Sequence, residues 1–168
     1  MELLVIRHAI AEDREVFAAT HQDDALRPLT VKGRRRFAEA VRGLRTLVES
    51  IDVLATSALA RAIQTGEIVA EAYDLTRATQ LGELAPEADP ASLPSWLRRH
   101  GARSMVAIVG HEPHLSRLVE YLLTRSPGRG FVSLKKGGAC LLSFEKGPEP
   151  GRAELRWLLT AAQLRCIR

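Results

Sequence analysis

Arg7 and His8 follow directly on the apolar run LLVI at residues 3–6. Two later segments have the same form. TSALAR sets Arg61 just beyond the aliphatic stretch 51–56, and GHEPH sets His111 just beyond MVAIV at 105–109. A short unbroken aliphatic run suits a strand covered on both faces, at the centre of a parallel sheet. In open α/β sheets, ligands bind at the carboxyl ends of such strands. Taken singly, Arg7 caps a strand in solvent and His8 begins a loop. Taken together, parallel neighbouring strands bring two arginines and two histidines to one sheet edge.

Two guanidiniums face each other favourably only with an anion between them. Phosphate fits, because each arginine can donate paired hydrogen bonds to its oxygens. Nearby positive charge also disfavours imidazolium, so a histidine among arginines is neutral and keeps a lone pair. That is the state in which His8 can attack phosphorus. His111 and the arginines then neutralise charge on the equatorial oxygens of the transferring group.

Rival chemistries lack their residues. HEPH is superficially like a zinc HExxH site, but His111 and His114 are three apart and Pro113 places a helix start between them. His114 therefore reads as structural or at the rim, and His21 and His100 as exposed. Cys140 has no arginine six residues on, as a cysteine-phosphatase loop requires, and there is no Walker loop or GxSxG elbow. Cys140 and Cys166 form no CxxC pair and read as packed thiols in a reduced, cytoplasmic protein.

The elements that must position these residues are legible in the periodicity. Strands are expected near 3–6, 51–56, 77–80, 105–109, 139–144 and 153–159. Thr30 caps a helix whose apolar positions are Phe37, Val41, Leu44 and Val48. Ser57 caps the next, with Leu59, Ile63, Gly66 and Val69 at helical spacing. A further helix spans about 90–100, and Pro113 opens one that buries Leu115, Leu118, Val119 and Leu122. Residues 9–29 read as a polar loop. Strands alternating with helices argue a three-layer α/β/α sandwich with a mostly parallel sheet of about six strands, made mixed by the final pair.

Composition sets the outer bounds. The 168 residues suit one domain spanning 1–168, with 46% hydrophobic and 26% charged residues as in an ordinary globular protein. No apolar stretch approaches the ~20 residues of a membrane span, and no signal-peptide pattern opens the chain. The net charge of +4 is mild, and Arg34, Arg35 and Arg36 lack interleaved aromatic residues. They read as a solvated helix face, with docking of an acidic protein partner as the alternative and neither nucleic acid nor membrane as a partner.

LVIRHA, TSALARAIQTGEI and IVGHEPHLS together resemble the motifs of the histidine phosphatase, or phosphoglycerate mutase-like, superfamily. RPLTVKG and GELAP are most similar to SixA-type phosphohistidine phosphatases. The resemblance implies a phosphoglycerate mutase-like fold. It also implies that His8 is transiently phosphorylated, that Arg7 and Arg61 bind the phosphoryl group, and that His111 completes the pocket. It places the proton donor at Glu83 in Leu81-Gly82-Glu83, with Glu87 and Asp89 as alternatives in the same loop. Ala9 departs from the motif's usual glycine. Arg27 either reaches the substrate or pairs with Asp23 or Asp24, and the pairing is preferred.

The expected activity is a phosphatase without metal or other cofactor, working through a phosphohistidine intermediate. Its expected substrate is a phosphorylated protein, such as a histidine phosphotransfer domain of a signalling relay. The alternatives are a small-molecule (sugar or metabolite) phosphomonoesterase and a non-catalytic phosphoprotein-binding module.

Overall fold

The computed structural model describes residues 1–101 and 104–167. Its centre is strand β1 (Glu2–Arg7), in which Leu3, Leu4, Val5 and Ile6 are all fully buried. Alternation along the strand divides them between two cores. Leu4 and Ile6 pack on one face of the sheet, Leu3 and Val5 on the other. Helices cover both faces, so the expected three-layer sandwich is present.

The sheet contains β2 (Val53–Thr56), β3 (Thr79–Gln80), β4 (Met105–Gly110), β5 (Ala139–Ser143) and β6 (Glu154–Leu159), in the order β3-β2-β4-β1-β5-β6. Its first four strands run parallel, and β5 and β6 are antiparallel additions on the far side of β1. The six strands and the mixed character match the expectation. β2 starts later than its aliphatic run, because Ile51 is buried without joining the sheet.

The loop at 9–29 has more structure than its polar composition suggests. It contains α1 (Arg14–Ala18), capped by Asp13, and a 3-10 turn (Asp24–Leu26) capped by Asp23. A bridge between Ala11 and Leu29 closes it. Such short turns are fixed by side-chain-to-backbone bonds rather than by hydrophobic period, so periodicity misses them.

α2 (Val31–Leu47) begins as expected at Thr30, whose hydroxyl accepts the Gly33 N–H at 2.8 Å. It buries Phe37, Ala40, Val41 and Leu44 on the Leu4/Ile6 face. A Cβ at Gly33 would lie 2.1 Å from the Ile10 carbonyl oxygen, so only glycine lets this helix approach the segment following His8. α3 (Ala60–Ala72) covers the same face. α4 (Leu93–Leu97), shorter than its expected 90–100, packs with α5 (His114–Thr124) on the opposite face. Pro113 precedes α5 as its N-cap. α6 (Ala161–Leu164), absent from the sequence reading, is built on a capping box between Thr160 and Gln163. Among the described residues, no helix is long and apolar enough to cross a membrane.

Two expectations change. Ser57 does not cap α3: its N-cap is Leu59, without a side-chain bond, and the Ser57 hydroxyl pairs with His111 while accepting the Leu59 N–H at 3.4 Å. Cys140 is buried but Cys166, just beyond α6, is exposed.

Candidate active site

Three parallel strands end level with one another. Pairing sets Arg7 beside Gly110, and Thr56 beside Val109. The chain leaving each strand stays at that level. The His8 N–H donates to the Gly110 carbonyl at 3.0 Å, and the Ser57 N–H to the Val109 carbonyl at 3.1 Å. His8, Ser57 and His111 are therefore the residues immediately following three aligned strand ends, and Arg61 arrives from the first turn of α3. The sequence-predicted convergence is real, and the His8 and His111 ring centroids lie 5.0 Å apart.

His8 is held in one tautomer. Its Nδ1 lies 2.7 Å from the Ala9 carbonyl oxygen, which can only accept, so Nδ1 bears the proton and Nε2 the lone pair. Burial pulls its pKa down to about 4, assisted by the charges of Arg61, Arg7 and Lys136 and opposed by the bond to Ala9. The ring is neutral at physiological pH. His111 is pulled down to about 3, by burial first and then by His8, Arg61, His114 and Arg7. Its Nε2 is 2.5 Å from the Ser57 hydroxyl oxygen.

The arginines are anchored by their outer nitrogens. Arg7 donates from Nη1 to the Leu134 carbonyl at 2.7 Å. Arg61 donates from Nη1 to the Asp24 carbonyl at 2.9 Å, and its Nη2 is 3.1 Å from Asp24 Oδ2. The same carboxylate accepts from Arg27 Nε at 2.7 Å. That hydrogen bond, more than the charge of Arg61, holds Asp24 below the usual carboxylate range against the opposing effect of burial. Arg27 thus makes the expected pairing with Asp24, and it still lines the cleft.

Six buried side-chain nitrogens have no hydrogen-bonding partner among the described residues; three belong to the site, Arg7 Nε, Arg61 Nε and His111 Nδ1, and the others are His100 Nε2 and both ring nitrogens of His114. An unsatisfied buried donor costs roughly 1–3 kcal/mol. The cationic side chains around His8 therefore favour a ligand rich in acceptor oxygens. The cleft above them measures about 670 Å³ and opens to solvent at Asp13, Arg14 and Lys136.

Glu83 is not brought to this cleft. It sits half-buried in the 3-10 turn Gly82–Leu84, and Pro86 is the residue of that segment which lines the cleft wall. Glu87 and Asp89 are exposed, and their charges act on His114. His114 itself is fully buried beneath the site, so the structural reading applies rather than the rim. His21 is exposed as expected, whereas His100 is half-buried and packs edge-on to Trp96 at 4.5 Å.

Sequence reasoning missed Ser57 as a site residue, Asp24 as the anchor of Arg61, and Lys136. It also missed Thr65, whose hydroxyl accepts the Ala9 N–H at 3.0 Å and donates to the Arg61 carbonyl at 2.6 Å. This buried threonine ties the segment after His8 to the helix carrying Arg61. Ala9 replaces glycine without strain, because its φ is not positive and its methyl group is buried.

The sequence profile of the histidine phosphatase superfamily (branch 1) matches residues 3–86. An uncharacterized protein of Picosynechococcus sp. is 35% identical over 140 residues, covering 82% of each chain. The chain belongs to the histidine phosphatase superfamily. The profile match includes Arg7, His8 and Arg61, while His111 lies beyond it and joins them through the fold.

Solved histidine phosphatase-like structures share that fold. The protein histidine phosphatase SixA complexed with tungstate superposes with a TM-score of 0.79 at 24% identity, over 98% of this chain and 99% of that one. The Entamoeba histolytica phosphoserine phosphatase, in complex with phosphoserine, gives 0.70 at 13% identity, covering 95% and 97%. The alpha-ribazole phosphatase of Shigella flexneri gives 0.65 at 19% identity, covering 96% and 97%. The fold is thus common to proteins named for different phosphorylated substrates.

Proposed function

We propose that this histidine phosphatase-family chain hydrolyses protein phosphohistidine by way of a phosphoryl group carried on His8 Nε2. One observation carries the reading: a neutral His8, with Nε2 free as a nucleophile, stands beside the three unpartnered nitrogens of Arg7, Arg61 and His111. In the first step Nε2 bonds to phosphorus as the P–N bond to the substrate imidazole breaks, and that imidazole leaves with a proton. In the second, a water oxygen bonds to phosphorus as the Nε2–P bond breaks, giving inorganic phosphate and returning His8. Arg7, Arg61 and His111 stabilise the charge on the three phosphoryl oxygens throughout. The two guanidiniums supply the positive charge locally, so the reaction proceeds without a metal and persists after chelation.

The preference for phosphohistidine follows from leaving-group chemistry. A phosphoserine alkoxide needs a well-placed acid, whereas an imidazole protonated from solvent leaves readily. Glu83, Glu87 and Asp89 stand outside the cleft lining, and of the carboxylates in it Asp13 caps α1 while Glu112 accepts the Ser116 hydroxyl at 2.6 Å and the Leu134 N–H at 3.3 Å, which suits the easier leaving group. The opening at Asp13, Arg14 and Lys136 suits a side chain presented by another protein.

The test compares kcat/KM on a histidine-phosphorylated phosphotransfer domain, a phosphoserine peptide, sugar phosphates and an aryl phosphate. The phosphohistidine protein should be the best biological substrate. His8→Ala should abolish turnover of all four while remaining folded, and acid-labile phosphate should be trapped on the wild type alone. A sugar phosphate better by about tenfold, equivalent to about 1.4 kcal/mol, would replace this reading with a small-molecule phosphatase. A folded wild type that binds phosphoprotein without turnover would make it a binding module.

A further inference from the structure

A second groove adjoins the cleft. It has a volume of about 310 Å³ and lies between α2, the turn at 135–137 and the start of α6. Four cationic side chains line it (Arg36, Lys135, Lys136 and Arg165), and no carboxylate does. Arg165 approaches Glu39 at 3.8 Å, but Arg36, Lys135 and Lys136 form no ion pair among the described residues. Four like charges around so small a space repel one another unless a complementary anionic surface covers them.

Three features make this more than a solvated basic face. Ile10, Ala161 and Ala162 form an apolar wall between the cations, which gives carbon side chains something to pack on. The close approach that Gly33 permits holds α2 directly against the Ile10 segment, so Arg36 is fixed relative to His8. Ile10 and Lys136 also line the catalytic cleft, so the two depressions adjoin at these residues. A chain entering one can extend into the other.

We infer that this groove is a docking site for an acidic, partly apolar polypeptide segment of the phosphorylated protein whose phosphoryl group enters the cleft at His8. The inference rests on the protein phosphohistidine reading above. Carboxylates on the segment would pair with Arg36, Lys135 and Arg165, while its aliphatic side chains cover Ile10 and Ala162. Such contacts supply specificity and encounter rate without touching the chemical step. The groove has no exposed aromatic ring for base stacking, which argues against a nucleic acid occupant.

Two measurements test this on the full chain. The first follows fluorescence anisotropy of a labelled, unphosphorylated peptide rich in Glu and Leu, beside its Gln-for-Glu counterpart. The wild type should bind the Glu peptide more tightly, with affinity falling as salt rises. The double variant Arg36→Glu/Lys135→Glu should weaken that binding by about tenfold or more. Its aryl phosphate turnover should stay at the wild-type level, which shows that it is folded. The second compares kcat/KM on phosphohistidine peptides with and without the Glu-rich flank; the flank should help the wild type and not the variant. Equal affinity for the Glu and Gln peptides, binding unchanged in the variant, or tighter binding of a labelled oligonucleotide would each overturn the groove. If the Glu peptide binds as expected but no phosphohistidine peptide is hydrolysed, the docking site stands and the substrate reading falls.

Discussion

Asp24 grips Arg61 twice, once through its main-chain carbonyl at 2.9 Å and once through its carboxylate at 3.1 Å. Arg61 is buried, while Asp24 is half-exposed on a 3-10 turn inside an otherwise polar loop. The carboxylate also receives Arg27 and lies 3.7 Å from Arg14, so three cationic residues of the cleft share one anionic anchor. Asp24→Ala should leave the main-chain bond in place and remove the other contact. Arg61 then has more freedom around the phosphoryl position, and misplacement on the scale of an ångström costs up to about a hundredfold in rate. A fall of about tenfold in kcat/KM for an aryl phosphate is expected, together with a lower melting temperature, because the buried Arg61 and Arg27 guanidiniums lose their carboxylate. Unchanged kcat/KM would show that the main-chain bond alone positions Arg61.

The two site histidines set a pH dependence of stability with a definite sign. In the unfolded chain each takes up a proton near pH 6.5, whereas in the fold His8 resists until about 4 and His111 until about 3. Between pH 6.5 and 4 the unfolded state therefore binds more protons, and stability falls as pH falls. The slope contributed by each approaches at most about 1.4 kcal/mol per pH unit in that window. Urea midpoints measured from pH 7 to 4.5 should decline, and His8→Asn should flatten the decline relative to wild type. Parallel curves for the two proteins would refute the depressed pKa of His8.

Glu120 organises the segment that supports Arg7. Fully buried on α5, its carboxylate accepts the Arg129 N–H at 2.5 Å and the Val132 N–H at 3.0 Å. Two residues further on, the Leu134 carbonyl holds Arg7. Glu120→Ala leaves both N–H groups without their acceptor, at roughly 1–3 kcal/mol for each that stays buried. Chemical denaturation should show the loss of stability, and KM for an aryl phosphate should rise as Arg7 loosens. A variant of wild-type stability would mean that water replaces the carboxylate without cost.

Why the sequence disclosed Arg7, His8, Arg61 and His111 but not their partners has a physical answer. The four lie just beyond buried strands or at the start of a helix, and aliphatic runs with turn signals mark those places along the chain. Their register depends only on which strands are neighbours, which the alternation of strands and helices constrains. Asp24, Thr65 and Lys136 reach the site through loop geometry and side-chain bonds that leave no period in the sequence. Ser57 shows the ambiguity sharply. A serine after a strand and before a helix carries the same local signal whether it caps that helix or, as here, faces a histidine from another strand. Glu83 shows the converse: its motif is intact, yet its turn directs Pro86 rather than the carboxylate to the cleft.

That placement makes Glu83 a discriminating variant. A general acid contributes typically about 10²–10⁴-fold when the leaving group is basic. With Glu83 outside the cleft lining, Glu83→Gln should change turnover of alkyl phosphate, aryl phosphate and phosphohistidine by less than about threefold. A selective loss on alkyl phosphates would restore Glu83 as proton donor and require the 3-10 turn to move when substrate binds.

The pairing of Ser57 with His111 predicts an effect on tautomer as well as rate. Both side chains are buried, and the 2.5 Å separation admits two arrangements of protons. If the Ser57 hydroxyl donates to Nε2, the ring proton must sit on Nδ1, the nitrogen with no partner among the described residues. Only this arrangement gives His111 a free N–H to offer a phosphoryl oxygen, and it is the one that the proposed chemistry requires. Ser57→Ala removes the constraint, so the neutral ring can place its proton on either nitrogen. The productive tautomer becomes a fraction of the population and its ring loses a hydrogen bond that fixed its orientation. A drop of about tenfold in kcat/KM is expected, within the range for loss of one positioned donor or less. Ser57→Cys, which keeps a weak donor, should recover part of it. Nitrogen-15 shifts of His111 should report a single Nδ1–H tautomer in the wild type and a mixture in Ser57→Ala. A wild-type spectrum showing the proton on Nε2 would reverse the hydrogen bond and assign His111 a different role from oxygen donor.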